Sequence, residues 1–240
     1  MNPVLAGVAL AVTVGAVTAI SAREPRTALL GLAVVLGISP FLSDPLPAVS
    51  TLATRVVAGA LAAYILRAAV AGGPSLPVRG APVPTGSRIG WQAELLFAAA
   101  AWIVGVAVAT VLATLSPTGP VTRPTGFLDS LSPSAVTTAA GLASMVVAAV
   151  PAFAGRDALR TTIGSLVLVQ GVLLFRVGIA GPPGDLEQLG SVGLLIAIAV
   201  AGAWMLAAEA RRDEAAAERR GVRPAALDAA GGEAAHGEPG

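Results

Sequence analysis

Apolar stretches of near-uniform length, broken by short clusters of Pro, Gly, Ser and charged residues, divide the chain into seven runs: 3–20, 27–42, 46–71, 91–115, 134–153, 158–179 and 189–208. Most are close to the ~20 residues a helix needs to cross a bilayer, so each run is predicted to be a spanning helix. The first carries no charge. A cleavable signal peptide would need a basic segment before the apolar run, whereas Arg23 and Arg26 follow it, so this run is read as the first spanning helix. The second ends at Ser43-Asp44-Pro45, where proline stops helical geometry. It is the shortest of the early runs, and a re-entrant path there would invert everything downstream.

The polar links are of two kinds. Residues 72–90, with Pro74, Pro77, Pro82 and Pro84, and residues 116–133, rich in Pro, Thr and Ser, read as loops without a core of their own. The segment Gly181-Pro182-Pro183-Gly184-Asp185-Leu186-Glu187 reads as a tight acidic turn. Beyond Ala208 the sequence EARRDEAAAERR is a good helix former, predicted to carry the last helix past the membrane before a Gly/Ala/Glu tail. The chain thus divides into a four-helix part (1–115, with the loop 72–90), a linker (116–133), a three-helix unit (134–208) and an extension with tail (209–240).

Composition agrees with an all-α, polytopic membrane bundle. Apolar residues make up 55%, charged residues 12%, and mean hydropathy is +0.80. There is no cysteine, the one histidine is His236 in the tail, and every basic residue is arginine. Those absences remove thiol chemistry, iron–sulfur and histidine–metal ligation, and any lysine for a phosphate loop or Schiff base. No cofactor and no metal are expected. No nucleophile–base pair is visible, so the chain is not expected to be an enzyme alone, and the scattered arginines do not point to nucleic acid.

Arginine placement orients the bundle. The links after the first, third and fifth runs carry Arg23/Arg26, Arg67/Arg79/Arg88 and Arg156/Arg160, and Arg211/Arg212 follow the seventh. The intervening links carry Asp44, the balanced pair Arg123/Asp129, and Asp185/Glu187. By the positive-inside rule the N-terminus is expected outside and the C-terminus in the cytoplasm. Small-residue stripes, Ala101/Gly105/Ala109 and Arg55/Gly59/Ala63, predict close helix contacts.

The candidate chemistry is sparse. Arg55 lies roughly ten residues into its run, about 15 Å deep at 1.5 Å per residue, where an arginine costs about 2.5 to 3.5 kcal/mol on insertion scales. Either Gln170, hydroxyls and carbonyls satisfy it, or it pairs with an acid from another subunit as part of a charge relay. Glu94, beside Trp91, is either an interfacial carboxylate snorkelling to water or a residue through which protons enter. Arg176 is placed to reach the interface or to pair with Asp185 or Glu187. Arg156, Asp157 and Arg160 form a basic turn in which Asp157 caps the sixth helix, and which could also dock a cytoplasmic neighbour.

The seven-helix plan, the basic residue within the third helix and the turn Arg156-Asp157-Ala158-Leu159-Arg160 resemble the E component of the hydrogenase-4 and formate hydrogenlyase membrane arm. The last three helices of that family are in turn similar to the K-type subunit of bacterial complex I and the C-type subunit of multisubunit cation/proton antiporters. Arg55 stands where that family places an intramembrane lysine. Gln170 stands at or next to the position of a glutamate in the sixth helix, and Ser191-Val192-Gly193 replaces a polar residue in the seventh. The resemblance implies a membrane subunit of a proton-translocating oxidoreductase or antiporter complex in a bacterial plasma membrane, touching lipid and an antiporter-like subunit. Arginine does not titrate in a useful range, so this chain is expected not to carry the proton step. A self-contained small transporter and a membrane scaffold or assembly protein are the alternatives.

Overall fold

A computed structural model describes residues 3–43, 46–72, 90–115, 131–155 and 157–219. The described residues are helical apart from short connections. The helices are α1 (Pro3–Ser21), α2 (Pro25–Ile38), a 3₁₀ turn (Ser39–Leu42), α3 (Val49–Gly72), α4 (Trp91–Leu115), α5 (Pro133–Ala154), α6 (Ala158–Ala180) and α7 (Asp185–Arg219). Seven helical segments are long and apolar enough to cross a membrane, α2 being counted with its 3₁₀ turn. The chain is therefore a multi-pass membrane protein whose outer faces meet lipid.

Start and stop signals explain most boundaries. Pro25 opens α2 and Pro133 opens α5 at positions where a missing N–H costs nothing. The Ser132 hydroxyl accepts from Ala135 N at 3.2 Å, and the Asp157 carboxylate accepts from Leu159 N at 3.2 Å. Gly181, with φ of 81°, ends α6 in a geometry that a side chain would resist.

Two boundaries differ from the sequence expectation, and both matter below. The third helix begins at Val49 rather than Leu46, because Pro47 holds the preceding residues out of helical geometry. The acidic residues of the predicted turn instead form the first turn of α7, where the helix dipole favours carboxylates.

α5 and α6 are the centre of the bundle. Over its membrane-length window α5 is 56% buried, whereas α3, α4 and α7 are 22% buried and peripheral. α1 packs on α2 and α5, α4 on α5, α3 on α2 and α7, and α7 on α6. Helices from residues 1–115 and from 134–208 thus share one core. The α5–α6 contact is built on glycine: Gly164, Gly171 and Gly178 recur every seven residues along α6 and meet the backbone of α5. A Cβ on Gly171 would lie 2.8 Å from Met145 N and 2.9 Å from Gly141 O. Gly105 of α4 does the same job against Ala139, and Gly59 of α3 against Leu36, so both expected stripes contain a true contact glycine.

The second span is continuous but changes pitch. Pro40 lacks the N–H that would bond Leu36 O, and the chain tightens into the 3₁₀ turn. The carbonyl so released faces Gly59, where a Cβ would come within 3.0 Å of it. Fourteen α-helical and four 3₁₀ residues reach about 29 Å, close to the thickness of a hydrocarbon core. That length makes the segment a span rather than a re-entrant loop.

Candidate functional site

Polar side chains gather in two places inside the bundle. The first joins the middle of α6 to the end of the second span, where α2 gives way to its 3₁₀ turn. Gln170, the thirteenth residue of α6, is 8% exposed, and its amide donates to Ser39 Oγ at 2.6 Å. From α5, the Thr137 hydroxyl donates to Leu42 O at 2.6 Å, and the Ser43 hydroxyl donates to Pro40 O at 3.0 Å. The Thr137 and Ser43 hydroxyls thus satisfy main-chain carbonyls at the end of the span, and Gln170 and Ser39 satisfy each other. The cluster is neutral, so it contains no group able to take up and release a proton across its width.

The second place lies toward the end of the bundle that carries the 181–184 turn. Gln188 Nε2 donates to Thr51 O at 3.0 Å, pinning the first turn of α7 to that of α3. One turn further along α3, Arg55 heads a buried stripe that continues through Gly59, Ala62 and Leu66. Its side chain therefore points into the bundle. The Nε and Nη2 atoms, which form one in-plane edge of the guanidinium, are buried without a hydrogen-bond partner among the described residues. The charges that act on it are Glu187, which attracts, and Arg176, which repels. Glu187 is already engaged: its Oε2 lies 2.5 Å from Arg176 Nη2, with both side chains more than a third exposed. Arg176 also donates from Nη1 to Gly181 O at 2.9 Å.

These positions revise three expectations. Arg55 and Gln170 are not joined; Gln170 is bonded to Ser39, and the two residues sit on helices, α3 and α6, that barely touch. Arg55 is six residues into its helix, about 9 Å deep instead of 15 Å, because α3 starts later than the apolar run does. Glu94 is in the first turn of α4 at the expected end of its helix, but it is 7% exposed and does not snorkel to water. Arg176 does pair with Glu187.

At the opposite end, Asp157 caps α6, and Arg160 reaches Ala22 O at 3.2 Å, tying α6 to the end of α1. Ala158 N donates to Glu209 Oε1 at 3.2 Å, so the C-terminal half of α7 closes the same corner. Arg156 lies outside the described residues. Both described members of the basic turn thus carry structural bonds.

Sequence reasoning missed Ser39, Thr137 and Gln188. Ser39-Pro40 inside an apolar run was the available sign of a broken helix with a hydroxyl to offer. Gln188 showed no sign, because its partner is a main-chain carbonyl far away in sequence. Among the described residues no group of three or more His, Cys, Asp or Glu gathers. Compared with family models, with curated proteins and with solved structures, the chain matches none of them.

Proposed function

We propose that the protein is a non-catalytic integral membrane subunit of a hydrogenase-4-like or complex-I-like proton-translocating assembly. In this reading it lies in a bacterial plasma membrane, N-terminus outside and C-terminus in the cytoplasm, beside an antiporter-like subunit that carries the ions. The observation that supports it is the neutral cluster around Gln170. By the resemblance Gln170 stands at or next to the place of a titrating carboxylate; it is bonded to Ser39, which leaves that cluster polar but without a titrating group. The basic turn around Asp157 and the three-helix unit add the sequence resemblance to that argument.

Purification in a gentle detergent, with mass-spectrometric identification of the chains that come with it, tests the reading. Large antiporter-like partners are expected. Recovery of the chain alone, or only as copies of itself, would remove it.

A second reading is favoured by one specific observation. Small transporters build sites from broken helices, and here the break in α2 lies against α3 near Arg55. Uptake of a solute into vesicles holding only this chain would favour that reading over the first.

A further inference from the structure

We propose that the region between the 3₁₀ turn of α2, the first turns of α3 and the start of α7 is a binding site for a two-oxygen oxyanion, a carboxylate or a phosphate, received on the Nε/Nη2 edge of Arg55. Neither reading of the whole chain is needed for this inference, because it rests on the local geometry alone.

Three observations carry it. The edge is buried with no acceptor among the described residues, although a guanidinium removed from water needs one. Its Nε and Nη2 donors are parallel and in one plane, a fork that fits two oxygens of one anion side by side. Arg55 is half-buried at the head of a stripe, Gly59, Ala62 and Leu66, that faces the bundle, so this edge of its head lies inward rather than along the lipid face.

Charge sets the class of ligand. Glu187, the carboxylate that attracts Arg55, is already engaged by Arg176, so among the described residues the Arg55 edge has no carboxylate of its own and suits an anionic ligand. Gln188, bonded to Thr51 O one turn before Arg55, holds the two helices that flank the edge. The Arg176–Glu187 pair has both side chains more than a third exposed, and such pairs contribute little and open readily. The oxyanion can come from a free small molecule or from the phosphodiester of an anionic lipid.

The full chain, purified in a neutral detergent, is titrated with acetate and with inorganic phosphate at constant ionic strength, and its melting temperature is followed. In parallel it is placed in nanodiscs of phosphatidylglycerol or of phosphatidylcholine. A saturable rise with acetate or phosphate is expected if the source is a free anion, and a higher melting temperature in phosphatidylglycerol alone if it is a lipid; either supports the site. Arg55→Met should abolish the response and still fold, because an uncompensated buried charge is replaced by an apolar chain of similar length. Arg55→Lys should weaken apparent affinity by about tenfold, since an ammonium cannot present the fork. Arg211→Gln, on the exposed extension of α7, should change nothing. No saturable response to any probe, a response that survives in Arg55→Met, or full affinity in Arg55→Lys would overturn the proposal. A response seen only when a second protein co-purifies would also overturn it, and would assign the edge to a protein carboxylate instead.

Discussion

Gln170 shows how little a buried polar residue need do chemically to be indispensable locally. Its amide is the donor for Ser39 Oγ at the point where α2 leaves α-helical geometry. Side-chain hydrogen bonds between membrane helices contribute about 0.6 kcal/mol on average and up to ~1.7 kcal/mol. Ser39→Ala is therefore expected to lower stability within that range, and Gln170→Leu with Ser39→Ala together to lower it less than the sum of the two, measured by thermal unfolding in detergent. Strict additivity would mean that the bond is not formed. The depth of Gln170 was legible in the sequence from the length of its run, and so was the partner of Arg176, which lies one turn of chain away. What was hidden is the partner of Gln170, 131 residues distant, since nothing in a linear pattern says which of many serines a helix will face. Arg55 was visible as an anomaly for the same reason it is one in the fold: few residues cost more at that depth.

Among the elements, the α5–α6 hairpin has the clearest design. Glycines at every seventh position of α6 keep one face bare, and α5 settles onto it closely enough for backbone to meet backbone. Gly171→Ala should cost about 1 to 3 kcal/mol through overpacking, because a methyl there meets main-chain atoms that cannot swing aside. Gly193→Ala, with nothing within 4 Å of its added carbon, should be neutral or slightly stabilising through helix propensity. Thermal stability of the two variants measured side by side distinguishes them; equal losses would show that the close approach is absent in the membrane. Helix existence and number were readable from apolar run length, because lipid removes every other way of satisfying a backbone. Helix starts were less so. Pro47 moved the beginning of α3 inward by three residues from the start of its apolar run, and the dipole drew Asp185 and Glu187 into α7, so the Arg55 site was misjudged in depth and in company.

For the whole molecule, the proposed orientation rests on arginine placement and can be measured directly. The chain has no cysteine, so single Glu24→Cys and Gly184→Cys variants each offer one thiol. A membrane-impermeant thiol reagent added to intact cells should label Gly184→Cys and spare Glu24→Cys; the reverse pattern would turn the bundle over and place the Arg55 end in the cytoplasm. The short second span has a further consequence for the surrounding bilayer. At about 29 Å it has no spare length to tilt, and Gln170 and Thr137 tie its 3₁₀ end in place. α4, with 25 residues, extends about 37 Å and can lean to fit membranes of several thicknesses. Leu30 and Val34 face outward from α2, so lipid must meet this unyielding wall. In a thick membrane the acyl chains beside α2 must compress, at a fraction of a kcal/mol for each ångström of mismatch. The protein is therefore expected to resist thick bilayers along one side of its perimeter, while the other helices can tilt to fit.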